Sequence, residues 1–559
     1  MLRHVQILLS FAGSLGLMVF GLRMLNDRIL YSFGSRIRSR IITASGQPFG
    51  SLIAGSSLNS MFQSSSGLSV ILMSMINESL ITQEAAFTTV LGAALGHIVP
   101  IAIFSGMGFL ADMSTWALPL LALAVPMSML RRRNMARFGV AILGFLILLL
   151  GLELLKQTLP STSEELALLL FVRSLGARPF FFAVFGLGVG MLLSIMTQSS
   201  DTVILTALAL GWSGWFPFSP VLAMIFGANV GTILTLRRGS GVYGSDVRVF
   251  SAAVVIFLVL SGAVGLALVL PLEAAVIRYL PGIYFKSSIL PPIVYGLYAG
   301  FTVLVILLMF VLRRWVMFFA VQWHRRPTPA VNEEDTDGLS VLPRGVPDSL
   351  EANLITTRGE LGRMADTAHG MLLETLNASQ NELEAKPAMK RVKELHSRLE
   401  ESGGRVEKLL KVSIREPSGA DQARDIAAQT RVSQELIIIG SACVHAVRVV
   451  ERIARKNYRI HEEAMDELYG YISQVLDFLK YDGDYLARKL SSYDRKLAYL
   501  MEEDINSVRD KLQKRVRRTL ERDDEADIRG EFQFMDIVRY LELIGDGCLA
   551  IGRELPKLR

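Results

Sequence analysis

The sequence predicts an all-α protein with two parts. The first is a polytopic membrane domain of two inverted repeats with re-entrant hairpins, and the second is a cytoplasmic helical bundle. Residues 1–324 contain apolar runs of about 20 residues, the length that a helix needs to cross a bilayer. Residues 348–559 are rich in charge and show the helical periodicity of a water-exposed bundle. Two polar motifs in the apolar part recur at a fixed distance, which predicts the repeats.

Seven apolar runs are predicted to cross the membrane fully, because a helix satisfies its own backbone hydrogen bonds in lipid. They are 5–25, 84–106, 115–131, 138–156, 217–236, 249–271 and 291–312. Three arginine clusters follow these runs, and placing all of them on the inner side gives a consistent topology. The N-terminus is then outside and the C-terminal domain is cytoplasmic. We interpret 5–25 as a true span, since no small-residue cleavage site for a signal peptide follows it.

The duplication is visible in two motifs. Gln63-Ser64-Ser65-Ser66 and Gln198-Ser199-Ser200-Asp201 are 135 positions apart, and so are the glycine pairs Gly92/Gly96 and Gly227/Gly231. The motif segments, about 47–78 and 180–212, would break the arginine topology if each crossed the membrane once. Re-entrant hairpins that enter from opposite sides resolve this conflict. Irregular backbone at membrane depth is tolerated where protein or a wet cavity surrounds it.

The predicted domains are a first membrane repeat at 1–131, a second repeat with an extra helix at 138–324, a linker at 325–347 and the helical domain at 348–559. The linker contains proline and acidic residues and few apolar ones, so it cannot bury a core. The net charge of +6 does not indicate nucleic-acid binding, because the arginines of the membrane part lie at span ends. The two cysteines, Cys443 and Cys548, fit a reducing cytoplasm.

These motifs resemble the sodium/phosphate cotransporter family, in which paired QSSS segments are each followed by a GANxGT segment. The helical part is similar to the PhoU-like tail of the bacterial branch, with RYLELIGDGCLAIGREL (539–555) and RVSQELIIIGSACVHAVRVVERIA (431–454) as two copies of one helix. Gly440-Ser441 and Gly545-Asp546 occupy matching positions in these copies, 105 residues apart. The tail is therefore predicted to be two three-helix bundles.

The resemblance implies a secondary active transporter of inorganic phosphate in the bacterial inner membrane, coupled to sodium and regulated by the tail. No nucleophile–base set, Walker loop or HExxH motif is present, so an enzyme and a cofactor are not expected. Two alternatives stay open: a phosphate exporter, and a membrane protein that senses phosphate without transporting it. The paired bundles of the tail also leave a homodimer open.

Phosphate in a dry site needs many hydrogen-bond donors, whereas sodium needs oxygen ligands. Glutamine, serine, asparagine and threonine provide both, and a broken hairpin adds the N–H groups of a helix N-terminus. Small polar residues can also simply allow close helix packing, the ordinary interpretation of an isolated serine. The predicted substrate- and ion-binding set is Asn59, Gln63, Ser64, Ser65, Ser66, His97, Gln198, Ser199, Ser200, Asp201, Asn229 and Thr232.

The chain departs from the family pattern in three places. Ala94 and His97 stand where Asn and Thr are usual, Asp201 replaces a serine, and Ser441 replaces an aspartate of the tail. Asp201 could bind a cation or a proton, pair with Arg173 or Arg178, or be exposed at a hairpin tip. His97 could carry a proton or be a packing residue.

Carboxylates of the tail are a second candidate site. The resemblance implies metal binding, for which Asp546, Glu542 and Asp536 remain in one copy, while Ser441 removes a ligand from the other. The competing interpretation is that these are solvated surface carboxylates.

Overall fold

We describe the protein from a computed structural model. The structure describes residues 2–62, 65–110, 114–130, 133–158, 178–240, 243–279, 290–324, 349–414, 420–488, 490, 492–522 and 527–558. By contact clustering the chain divides into two compact units, Met1–Ala352 and Asn353–Arg559. The described residues contain helices and no strands, which confirms the prediction of an all-α protein.

Thirteen α-helices and one short π-helix, Gly106–Leu110, are described in the first unit. The α-helices are α1 (Leu2–Ala44), α2 (Pro48–Phe62), α3 (Ser65–Asn77), α4 (Gln83–Gly96), α5 (Ile98–Ser105), α6 (Ser114–Ser128), α7 (Arg133–Thr158), α8 (Pro179–Thr197), α9 (Ser200–Trp212), α10 (Phe218–Gly231), α11 (Ile233–Ser240), α12 (Ser245–Tyr279) and α13 (Leu290–His324).

The second unit consists of six long helices with short 3-10 turns at Glu382–Glu384 and Leu555–Lys557. They are α14 (Ser349–Gln380), α15 (Ala385–Ile414), α16 (Ala420–Lys456), α17 (Glu462–Leu486), α18 (Arg495–Arg522) and α19 (Ile528–Glu554). Helix α16 packs against α15 and α19, and α19 packs against α18. The prediction that these six helices form two bundles of three stays a prediction.

Helix bounds in the first unit repeat with the offset of the motifs. Helices α2 and α8 end 135 positions apart, and the helices that follow them, α3 and α9, both begin and end 135 positions apart. The same holds for both ends of α4 and α10 and of α5 and α11. Duplication in the sequence therefore appears as two copies of one helix–break–helix arrangement.

Helix packing is duplicated as well, through glycines that let two backbones touch. A Cβ added at Gly55 would lie 2.0 Å from the carbonyl oxygen of Thr89, and one at Gly190 would lie 2.0 Å from that of Met224. Gly92 and Gly227 make the reciprocal contacts, each 2.0 Å from a leucine carbonyl. Small residues allow such approach in membrane helices. Helix α2 thus packs on α4 as α8 packs on α10.

Six helices among the described residues are long and apolar enough to cross a membrane. They are Val5–Leu25, Gln83–Phe109, Phe138–Thr158, Pro179–Thr197, Ser245–Tyr279 and Leu290–Trp323. Their number, length and composition indicate a multi-pass membrane protein.

The predicted spans differ from this set in three places. Helix α6 is short and contains Pro119 and Pro126. The predicted span 217–236 is not one helix, because α10 ends at Gly231. The break was not predicted, since the apolar run continues across it. Helix α8 has 19 residues, although its segment was predicted not to cross.

Helix α13 belongs to neither copy and contacts both. It packs against α4 and α5 of the first copy, and against α9 and α10 of the second. Tyr295 and Tyr298 on this helix are buried among the apolar residues that form the core of the unit. Tyr295 Oη donates to the carbonyl oxygen of Ile98 at 2.5 Å. These contacts place the hydroxyls of α13 between the two copies.

Candidate functional site

The second Gln–Ser motif forms a sharp break between two helices. Helix α8 ends at Thr197, and Gln198 adopts a left-handed backbone conformation with φ of 55°. Ser199 then caps α9: its hydroxyl accepts the backbone N–H of Thr202 at 3.3 Å. Ser200 and Asp201 follow in the first turn of α9. A helix N-terminus is a favourable place for an anion, because its first N–H groups lack intrahelical partners.

A break at the equivalent place separates α2 from α3 in the first copy. Gln63 and Ser64 lie outside the described residues, and so do the side chains of Ser65 and Ser66. The prediction that Gln63 faces Gln198 is therefore still a prediction.

A cavity of about 80 Å³ lies between the two copies. Such a volume holds several water-sized groups, since one water needs about 10–15 Å³ of this kind of space. Its polar lining comes from both copies and from the two long helices that follow them. The polar and titratable lining residues are Ser69, His97, Ser200, Asn229, Thr232, Ser261, Tyr298 and Thr302. The rest of the described lining is apolar, with Val90, Phe257 and Leu258 among its members.

Equivalent positions of the two copies meet in this cavity. Ala94 corresponds to Asn229, and His97 corresponds to Thr232, each 135 residues apart, and all four line the wall. Ala94 and His97, which depart from the family pattern, thus line the same cavity as their family-typical counterparts. The cavity is consequently built from related halves that differ in chemistry.

Tyr298 joins the two halves. Asn229 Nδ2 donates to Tyr298 Oη at 2.8 Å. On the other side, Tyr298 Oη and His97 Nε2 are 3.0 Å apart. Tyr298 is only 1% exposed, so this linkage is buried in the wall.

Sequence analysis did not identify Tyr298, Thr302, Ser69 or Ser261. These four residues lie outside the duplicated motifs from which the binding residues were predicted. A signal for two of them was present: Tyr295, Tyr298 and Thr302 are spaced by three and four residues, which places them on one face of an apolar helix.

The described lining of the cavity does not include Asn59, Gln198, Ser199 or Asp201, which were also predicted to bind. Asn59 is buried under α4, where Nδ2 donates to the carbonyl oxygen of Ala93 at 2.8 Å. Ser199 is occupied as a helix cap, and Thr232 Oγ1 donates to the carbonyl oxygen of Asn229 at 2.6 Å. Their ligand-binding roles remain predictions.

Asp201 is buried in α9, with 6% of its surface exposed. Ser200 Oγ donates to its carboxylate at 3.4 Å, and the carboxylate interacts electrostatically with the hydroxyls of Tyr295 and Tyr298. No ion pair to Asp201 occurs within the described ranges. Arg178 stacks on Phe181, and Arg173 lies outside the described residues.

In the tail, the carboxylates proposed for metal binding have other partners. Glu542 forms a close ion pair with Arg509, and Asp536 lies 3.8 Å from Arg539. Ser441 is at 3.1 Å from His396, in the position that corresponds to Asp546. Within the described ranges, no group of three His, Cys, Asp or Glu side chains could hold a metal ion. Metal binding by this tail remains a prediction.

Comparison with known proteins points to one family. Residues 17–157 match the family model described as Na+/Pi-cotransporter. That segment includes the first Gln–Ser motif and the glycine pair that follows it.

Two curated relatives are provisionally named inorganic phosphate export protein YjbB. The one from Salmonella typhimurium is 24% identical over 267 residues, 47% of either chain. The one from Escherichia coli K12 is 24% identical over 245 residues, 43% of either chain. The chain thus matches less than half the length of these relatives.

The solved structure of PhoU from Pseudomonas aeruginosa aligns with 37% of this chain and 98% of its own. The TM-score of 0.34 and identity of 18% are too low to support an argument about the tail. The family recognised from the paired motifs is confirmed by the match in the membrane unit. Through residues 17–157, the chain is similar to the Na+/Pi-cotransporter family.

Proposed function

We propose that this protein is a secondary active transporter of inorganic phosphate whose binding site is the cavity between the two copies. The observation that carries the proposal is the pairing of His97 with Thr232 and of Ala94 with Asn229 in one cavity wall. Central sites at the interface of structural repeats are typical of secondary transporters.

The charge of the cavity supports coupling to a cation. No lysine or arginine is among the described lining residues, and the titratable ones are His97 and Tyr298. A divalent anion buried among neutral groups is costly unless opposite charge accompanies it. Hydroxyl oxygens such as those of Ser200 and Thr302 are suitable sodium ligands. Sodium bound together with phosphate would supply the missing positive charge.

Phosphate export is a second candidate, favoured by the provisional names of the two relatives. Importing a divalent anion against a potential of about 100 mV costs roughly 4.6 kcal/mol electrically, so at least two cations must accompany it. Export is electrically downhill and needs no such coupling.

We further propose inverted topology in the inner membrane, with the N-terminus outside and a PhoU-like regulatory tail in the cytoplasm. Helices α2 and α3 have 15 and 13 residues. At 1.5 Å per residue each is roughly 20 Å long, short of the ~30 Å hydrocarbon core, which supports a re-entrant hairpin. Helix α8, with 19 residues, is nearly long enough to cross.

The test is flux of radiolabelled phosphate by the purified full chain in proteoliposomes. Sodium gradients and a potassium diffusion potential would be imposed separately. We expect an inward sodium gradient to drive phosphate accumulation. Flux that follows the potential and ignores sodium would favour export instead. Phosphate binding without any flux would leave the sensing alternative, and neither binding nor flux would overturn the proposal.

Asn229→Ala provides the matched variant. Loss of this donor should slow flux at least about tenfold, since a hydrogen bond to a charged ligand contributes about 1.5–3 kcal/mol. Asn77→Ala is the control, because Asn77 bonds Glu78 at 3.2 Å away from the cavity lining. Equal flux in both variants would contradict the placement of the site.

A further inference from the structure

The hydrogen bonds around Tyr298 have a definite direction. Asn229 Nδ2 is a donor, so Tyr298 Oη accepts its proton at 2.8 Å. The single hydroxyl proton of Tyr298 can then point to His97 Nε2 at 3.0 Å when that nitrogen carries no proton. Thr302 is a further hydrogen-bond partner of Tyr298. The chain of donors therefore runs from Asn229 through Tyr298 to His97.

The second ring nitrogen of His97 agrees with this direction. The ring forms a further hydrogen bond to the backbone of Ala93, one helical turn earlier. At that place the carbonyl is the available acceptor, so Nδ1 carries the proton and Nε2 is free to accept. His97 is 6% exposed and neutral in this arrangement.

We propose that Tyr298 is a positioning residue that links phosphate binding to protonation of His97. When His97 Nε2 gains a proton, it becomes a donor to Tyr298 Oη. That oxygen then accepts from both sides, and its own hydroxyl proton must rotate away. Tyr298 and its partner Thr302 both line the cavity, so the proton turns toward that wall and the space where the anion binds. One proton is taken up at His97 and no covalent bond of Tyr298 breaks.

This inference rests on the proposed function, because it takes the cavity as the phosphate site. It adds a coupling proton that the motif pattern does not supply, since His97 stands where the second copy has Thr232. The protonated ring also brings one positive charge to a cavity without lysine or arginine among its described lining residues.

Other ionisable groups near His97 are few in the described part of the chain. Helices α2, α3 and α10 contain none, and α12 faces the cavity with apolar residues and Ser261. Helix α13 contributes Tyr295 and Tyr298, and α9 contributes Asp201, which interacts with both tyrosines. A test must therefore separate His97 from Asp201.

The experiment measures phosphate affinity of the purified full chain from about pH 4 to about pH 8.5, a range that covers the titration of both exposed and buried histidines. Tyr298→Phe removes only the hydroxyl. His97→Gln keeps an acceptor for that hydroxyl but cannot gain a proton. Tyr295→Phe is the control, since it removes a hydroxyl on the same helix that bonds Ile98 and does not line the cavity. Titration of phosphate itself is common to all and cancels in the ratio of affinities. Tyr295→Phe also removes a hydroxyl that interacts with Asp201, so it shows any contribution of Asp201 to the pH dependence.

We expect the affinities of Tyr298→Phe and His97→Gln, each divided by that of the unchanged protein, to fall as the pH is lowered. The fall across the range should be about 10- to 100-fold, the value of a hydrogen bond to a charged ligand. Tyr295→Phe should follow the unchanged protein throughout. An affinity ratio that is constant with pH in either cavity variant would overturn the proton link and leave the transport proposal intact. Absence of phosphate binding to the unchanged protein would overturn both.

Should Tyr298→Phe fail to fold, His97→Gln still decides the question. A second readout is the tautomer of His97 in nitrogen-15-labelled protein, assigned by difference from His97→Gln. We expect the proton on Nδ1 at high pH. A proton on Nε2 there would contradict the direction of the chain.

Discussion

Asp201 is a carboxylic acid inside the membrane unit, and its partners in the described residues are neutral. A carboxyl group in such a place holds a cation or a proton, because an isolated buried charge is costly. Its position in the first turn of α9, beside Ser200, places it next to the cavity wall. The sequence predicted an ionisable group in a motif that is otherwise neutral, and the structure adds that this group is buried.

We expect Asp201→Asn to change the sodium or pH dependence of phosphate flux while the protein stays folded, because the amide has nearly the same size. Flux would be measured across sodium concentrations and from about pH 5.5 to about pH 8.5. Asp246→Asn is the control, an exposed aspartate in the first turn of α12. Curves for Asp201→Asn that superimpose on those of the control would show that Asp201 is not part of the coupling.

Duplication in the sequence marked some of the residues that line the cavity and not others. His97, Asn229, Thr232 and Ser200 were predicted and do line one cavity. Tyr298 was not predicted, because it lies outside the duplicated motifs, and its spacing from Tyr295 and Thr302 marks a helix face but not a site. Only the folded arrangement shows that its hydroxyl reaches both copies.

At the scale of helices, α8 offers two glycines with opposite surroundings. A Cβ at Gly190 would lie 2.0 Å from the Met224 carbonyl oxygen, whereas one at Gly188 would meet nothing within 4 Å. Gly190→Ala should therefore destabilise the membrane unit by about 1–3 kcal/mol or more, since α8 and α10 must separate.

Gly188→Ala should be neutral or stabilising by about 0.5–1 kcal/mol, because alanine is a better helix former than glycine. Both effects would be measured by thermal unfolding of the purified protein in detergent. Equal melting temperatures for the two variants would refute the close packing of α8 on α10.

In the tail, α17 contains a buried carboxyl group that gives a second prediction. Asp482 is 1% exposed, and Tyr493 Oη donates to its Oδ1 at 2.6 Å. Burial raises the pKa of Asp482 well above its usual value. The folded tail holds this proton more tightly than the unfolded chain does. Its contribution to stability is therefore complete below about pH 4 and is lost as the pH rises through the raised pKa.

As the pH rises from about 4 to neutral, the free energy of unfolding of α17 should thus fall further in the unchanged protein than in Asp482→Asn. The difference should be on the order of 1–3 kcal/mol. Hydrogen exchange of α17 peptides in the full chain measures this difference. Asp504→Asn, an exposed aspartate on α18, is the control and should follow the unchanged protein. A parallel pH dependence in Asp482→Asn would contradict the prediction.

Helix bounds were predictable where composition changes and less so where it does not. The break after Gln198 was marked by polar residues in an apolar segment. The end of α10 at Gly231 had no such mark in the sequence. Thr232 is compatible with either structure, and the apolar residues Ile233 and Leu234 follow it directly. Hydropathy averages over a window longer than such a break, so a single predicted span became two helices.

For the whole molecule, the placement of the tail in the cytoplasm can be tested by labelling. The native cysteines are unsuitable, because Cys443 and Cys548 are both fully buried. Burial also raises the pKa of Cys443 to about 12, which keeps the thiol unreactive at neutral pH. Failure to label them would thus say nothing about the side of the membrane.

Leu383→Cys gives the informative site, since Leu383 is 88% exposed in the tail. We expect a membrane-impermeant maleimide to label it only after the cells are permeabilised. The unchanged protein, with its two buried thiols, is the control and should stay unlabelled in both conditions. Labelling of Leu383→Cys in intact cells would place the tail outside and reverse the predicted topology.

The glycine contacts between paired helices restrict how the molecule can move. Backbones that touch at Gly55 and Gly92, or at Gly190 and Gly227, cannot slide gradually past one another, because the opposing carbonyls would have to pass through the glycine positions. Each pair, α2 with α4 and α8 with α10, should therefore move as one rigid body. Exposure of the cavity to alternate sides of the membrane would then require the two helix pairs to rotate relative to each other as rigid bodies. Helix α13, which contacts both pairs, would be the hinge of that rotation.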